Sequence, residues 1–169
     1  MIADAIQFIL TNLPAFLCLA AVLIPAFVQR DRPWPHRYLA WVLLLAVGVD
    51  AVWAGLFHIF FPQIASAQIG WQPSPYEFEV GVADAAYGII AIIAFWRSLP
   101  FKQAIASFAV LYYVGVSIGH FMQASAGDTS PDNFGLLLIL TIARAVLLVV
   151  LLWLTSRSPH ADTRHSQGH

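Results

Sequence analysis

Seven ionisable side chains stand inside stretches that are otherwise apolar: Asp50, His58, Glu77, Glu79, Asp84, His120 and Arg144. Charges in hydrocarbon are expensive unless they pair with one another or do work. Imidazoles beside carboxylates can exchange protons with a bound molecule. Two imidazoles and a carboxylate are also a common metal-ligand set, and two histidines can ligate haem iron. The residues His58, Glu77, Glu79, Asp84, Tyr113 and His120 form the candidate pocket, within which His58, His120 and Glu79 are the metal-ligand candidates. Asp50, Asp84 and Arg144 are the buried ion-pair candidates, with a proton relay or substrate binding as their functional alternative. The plainer readings are that both histidines cap helix ends, and that Arg144 with an aspartate only sets helix register.

Composition decides what kind of element carries these groups. The chain is 169 residues long, 60% hydrophobic and 10% charged. A soluble domain carries about a quarter charged residues, so much of this surface is expected to face lipid. Each apolar run is about 20 residues long, the length a helix needs to cross a bilayer. Barrel strands would alternate in polarity over roughly 10 residues. The expected fold is all-α, a polytopic transmembrane helical bundle of five spans, a four-helix core plus one, over residues 6–28, 38–61, 76–96, 103–122 and 134–154. These make one domain, 1–154, followed by a polar cytoplasmic tail, 155–169, expected to be disordered. Asp4 stands where a secretory leader would carry Lys or Arg, so the first run is read as a retained helix.

Orientation follows from the basic residues. Arg30, Arg32, Arg37, Arg97, Lys102, Arg157 and Arg164 fall on one side of this arrangement, whereas Asp4, Glu77, Glu79, Asp128 and Asp132 fall on the other. By the positive-inside rule the amino terminus is outside and the carboxyl terminus inside. A net charge of -1 without a basic stripe speaks against a nucleic-acid partner. The expected partners are the lipid bilayer and another membrane protein or a second copy.

The helical rise then sorts the polar residues by depth. His58, Glu77, Glu79 and His120 lie near the outer rim, while Asp84 is about 12 Å and Arg144 about 15 Å down. Glu77 and Asp84 are seven residues apart and share a helix face, whereas Glu79 diverges from Asp84 by roughly 140°. Tyr113 and His120 also share a face. Ala51-x-x-x-Gly55, Gly81-x-x-x-Ala85 and Gly115-x-x-x-Gly119 permit close helix approach. They point to mutual packing of the second, third and fourth segments, with the uncharged first segment peripheral. Cys18 reads as a small hydrophobe, and Trp71 as an interface anchor. The tail histidines His160, His165 and His169 read as solvated.

The run Gly55-Leu56-Phe57-His58, then Glu79-Val80-Gly81 with Gly88, then Trp96-Arg97 before Phe101-Lys102, resembles the DoxX-like group of small bacterial membrane proteins. The resemblance covers Trp41 to Leu154. It implies a four-helix core in the bacterial inner (plasma) membrane and a role as a redox-associated or accessory subunit, with a quinone as one cofactor class beside haem or metal. Two alternatives stand beside it. One is an intramembrane acid-base enzyme on a lipid-soluble substrate or a proton-coupled small carrier. The other is a purely structural membrane partner.

Overall fold

A computed structural model describes residues 8–67, 72–129 and 133–157. Asp4, Trp71, Pro131, Asp132, Arg164 and the tail histidines lie outside the described residues. Among the described residues every regular element is a helix. Helix α1 spans Leu13–Phe27, α2 Trp34–Phe60, α3 Pro62–Ala67, α4 Glu77–Ala94, α5 Leu99–Ser125 and α6 Leu136–Arg157. Three of these, α2, α5 and α6, are long and apolar enough to cross a membrane. The 27 residues of α2 reach about 40 Å, beyond the roughly 30 Å of a hydrocarbon core. Helix α1 is apolar but shorter, and α4 has the length of a span while carrying Glu77, Glu79 and Asp84.

Several boundaries differ from the sequence reading, and prolines explain most of them. Proline is tolerated in the first helical turn, where its missing N–H has no intrahelical acceptor. Pro35 and Pro100 therefore lie inside the first turns of α2 and α5, which start at Trp34 and Leu99 rather than at 38 and 103. Pro14 likewise stands in the first turn of α1, and a turn at Asn12 separates α1 from the helical residues 8–11. Residues expected to begin the tail, Thr155–Arg157, continue α6. Thr155 is buried there and accepts a hydrogen bond from Gln103 Nε2 at 3.2 Å.

Helix α2 is the hub. Its middle, Val42–Val49, is wound as a π-helix, with a backbone bond from Asp50 N–H to the Leu45 carbonyl. Wider turns shift the phase of all that follows, including Asp50 and His58. The buried side chains of this stretch, Val42, Leu43, Ala46 and Val47, form the centre of the core with Ala21, Ala91, Leu148 and Leu151. Helix α1 packs directly against it, so the first segment is integral to the bundle rather than peripheral.

The tightest crossing joins α2 to α4. A Cβ placed on Gly55 would lie 2.6 Å from the Gly81 carbonyl oxygen, and one on Gly88 2.6 Å from the Val52 nitrogen. Gly48, Gly55, Gly81 and Gly88 thus bring the two backbones into contact at two levels. Helix α5 behaves otherwise. It packs mainly on α6 and touches α4 thinly, and nothing lies within 4 Å of a Cβ on Gly115 or Gly119. The expected close packing through Gly115-x-x-x-Gly119 does not occur; a cleft separates α4 from α5.

Candidate functional site: a polar cleft between helices α4 and α5

The two helices that flank this cleft are joined by a short turn at Arg97, where Lys102 Nζ donates to the Arg97 carbonyl. Further along, aromatic rings fill the gap: Tyr87 contacts Phe108 at 4.9 Å and Tyr112 at 5.7 Å between centroids. Tyr112 then donates its hydroxyl to Asp84 Oδ1 at 2.6 Å, tying α5 to α4. Beyond Tyr112 the α5 face presents Val116, Gly119 and His120, too little side chain to continue the filling. A cavity of about 350 Å³ remains, lined also by His58, Glu77 and Asp84.

Glu77 is held at the mouth of this cavity. His58 Nδ1 lies 2.5 Å from Glu77 Oε2, and the Ser66 hydroxyl donates to Oε1 at 2.6 Å. An ionised carboxylate can only accept, so the contact with Glu77 places a proton on His58 Nδ1, and in the neutral imidazole Nε2 is then the atom with the free lone pair. Ser66 reaches Glu77 because α3 folds back at Pro62, which ends the pattern of α2. A carboxylate fixed from two sides orients the imidazole as second-shell acids do in acid-base sites.

His120 is 6% exposed and fixed from the loop before α6. Its Nδ1 lies 2.7 Å from Asn133 Oδ1, while Asn133 Nδ2 donates to the Asp128 carbonyl at 2.7 Å. Asn133 is fully buried. Its only signal in the sequence is a lone amide just before the last apolar run.

A second cavity of about 220 Å³ lies on the far side of the histidines, among α1, α2, α5 and α6. His58, Val116 and His120 line both cavities and form the wall between them. The second one contains the deep charges. Arg144 pairs with Asp50 through Nη1 and Oδ2, donates Nε to Cys18 Sγ at 2.9 Å, and lies 5.8 Å above the Tyr113 ring. Cys18 is thus an acceptor for the buried guanidinium, which its reading as a small hydrophobe missed.

The structure brings together His58, Glu77, Asp84 and His120 from the candidate pocket, but not Glu79 or Tyr113. Glu79 is exposed, as its divergence from Asp84 on the helix requires, so the His58, His120 and Glu79 metal set does not form. Among the described residues no three His, Cys, Asp or Glu side chains gather around one point. Tyr113 faces α2 instead, its hydroxyl 3.4 Å from the Ala46 carbonyl, and Tyr112 takes its expected place in the cleft. Asp84 bonds Tyr112 while Asp50 takes Arg144, so the expected triad resolves into two separate pairs.

A family model described as a family of unknown function (DUF6790) matches residues 11–161, from the start of α1 past the end of α6. No curated protein and no solved structure matches the chain.

Proposed function

The chain belongs to the DUF6790 family, and from that premise we propose that it is a multi-pass inner-membrane protein whose polar cleft binds a lipid-soluble molecule and exchanges protons with it. The observation that carries this reading is the His58–Glu77–Ser66 arrangement at the mouth of the cavity. It sets a basic Nε2 beside a space opening between two helices, where a ligand dissolved in the bilayer can enter. Asp84 and Tyr112 supply a second proton-bearing pair deeper in the same cleft. In this proposal α1 and α4 cross the membrane with α2, α5 and α6, giving five spans with the amino terminus outside and the carboxyl terminus inside. The cleft then opens toward the outer face. A redox-associated accessory role rests on the DoxX resemblance of Gly55-Leu56-Phe57-His58; the geometry contributes the pocket and its proton chemistry.

The test is binding of a short-tailed benzoquinol, whose hydroxyls can donate to Nε2, to the purified chain in lipid nanodiscs, followed by calorimetry. His58→Ala is expected to weaken binding by about threefold to tenfold, the loss of the one hydrogen bond that the quinol hydroxyl donates to Nε2. Equal binding by wild type and His58→Ala removes the proposal. Absorption spectra of the same sample report on haem.

A purely structural role for the deep charges is favoured by a specific observation. Arg144 is surrounded by Asp50, Cys18, the Tyr113 ring and the Pro14 carbonyl at 3.4 Å, which leaves the pair locked in place. We assign Asp50 and Arg144 to holding α1, α2 and α6 together rather than to the ligand.

A further inference from the structure

At the opposite end of the bundle from the His58 cleft, the ends of α1 and α4 meet the start of α5 around a concavity of about 390 Å³. Three cations line it, Arg32, Arg97 and Lys102, and no Asp or Glu does. None of the three has a carboxylate partner among the described residues. Trp96, 71% exposed, and Phe95 form its apolar edge. The start of α5 faces the same space through Ser98, which has extended backbone and makes no side-chain cap to the first turn. Uncapped amides at a helix start add a partial positive charge to the three cations.

We infer that this concavity binds a phosphate group at the membrane surface. The cations supply charge, the start of α5 adds partial positive charge although Pro100 removes one of its first amides, and the Trp96 edge suits the headgroup level of a bilayer. Basic pockets between membrane helices take anionic headgroups in this way. The positive-inside pattern explains why basic residues lie at this end, but not why these three surround one hollow. Arg30 and Arg157 do not line it: Arg30 donates to the Ala26 carbonyl at 3.3 Å and Arg157 lies 4.0 Å above the Trp153 ring. Lys102 and Arg97 border the hollow, while Lys102 donates to the Arg97 carbonyl and Arg97 lies 5.9 Å from the Phe101 ring centroid. The phosphate can belong to an anionic phospholipid or to a soluble molecule, and the experiment separates the two.

The full chain is purified in detergent and offered equal phosphatidylglycerol and phosphatidylcholine, and the retained lipid is read by native mass spectrometry. A second arm measures thermal stability against inorganic phosphate without lipid. Wild type is expected to retain phosphatidylglycerol preferentially, and Arg32→Gln with Arg97→Gln to lose about 25-fold of that preference, at roughly fivefold per surface cation. Both side chains are exposed, and Arg32→Lys with Arg97→Lys keeps the charge and most of the preference. Arg30→Gln with Arg157→Gln removes the same charge outside the concavity and is expected to have little effect. Stabilisation by inorganic phosphate, lost in the Arg32/Arg97 glutamine variant, identifies a soluble phosphate as the ligand. Equal loss in both glutamine variants, or no preference in either arm, overturns the inference.

Discussion

Gly55 and Gly81 touch backbone to backbone: a Cβ on Gly81 would lie 2.8 Å from the Gly55 carbonyl oxygen and 2.9 Å from His58 Cβ. This contact sets the spacing that lets His58 on α2 reach Glu77 on α4. Gly55→Ala or Gly81→Ala must force the helices apart, and overpacking of this kind costs about 1–3 kcal/mol. Gly115→Ala and Gly119→Ala meet open space on α5 and are expected to be neutral or slightly stabilising, since alanine is the better helix former. Unfolding of the four variants in detergent, followed by circular dichroism, checks the contrast. Equal stability in all four would mean that the crossing is not held by glycine contact.

Arg144 is the one cation at mid-helix depth among the described residues, and its loss and its partner's loss should have similar consequences. Asp50→Asn leaves the guanidinium without its counter-charge, and Arg144→Leu leaves the carboxylate without its own. Each is expected to destabilise by about 3–5 kcal/mol, the usual result of stranding half of a buried pair. The double variant should cost clearly less than the two singles added together. Additive costs in that double-mutant cycle, read from the same unfolding curves, would mean that the two residues do not act as a pair.

The Asp50–Arg144 pairing was within reach of the sequence because depth along a helix is simple arithmetic, and only two aspartates lay at the right level. The cleft was harder. Tyr113 was placed in it because seven residues separate it from His120, and the two do share a buried face. On that face Tyr113 looks toward α2 and α6 and His120 borders both cavities, while the cleft lies on the flank occupied by Tyr112, Val116 and Gly119. Which flank of a helix borders a gap depends on how its neighbours pack, and one chain's periodicity carries no such information. Glu79 was the reverse case, since its phase already turned it away from Asp84. Ser66 and Asn133 were hidden because they reach the site from connecting segments, which have no period to read. The π-helical turns of α2 had no compositional mark among the aliphatic residues Val42–Val49.

Tyr112 and Tyr113 offer a test of that one-residue distinction. Tyr112→Phe deletes a 2.6 Å hydrogen bond to a buried carboxylate and is expected to destabilise by about 1–3 kcal/mol. Tyr113→Phe deletes a 3.4 Å contact to a backbone carbonyl and keeps the ring under Arg144, so its cost should stay below about 1 kcal/mol. Only Tyr112→Phe should also alter quinol binding, because Tyr112 lines the cleft. The opposite ranking would return Tyr113 to the pocket.

The proton on His58 can be read directly. With Nδ1 donating to Glu77, nitrogen NMR on histidine-labelled protein should find His58 with a protonated Nδ1 and, in its neutral form, a bare Nε2. Glu77→Gln can still accept through its amide oxygen, so the tautomer should survive at reduced population. Glu77→Ala removes the acceptor and should shift the proton toward Nε2. Ser66→Ala leaves Glu77 in place but loosens it, and is expected to weaken ligand binding by about threefold to tenfold without reversing the tautomer, the worth of one hydrogen bond. If His58 already holds its proton on Nε2 in wild type, the imidazole has no lone pair facing the cleft as a base, and the proton-exchange role passes to Asp84 and Tyr112.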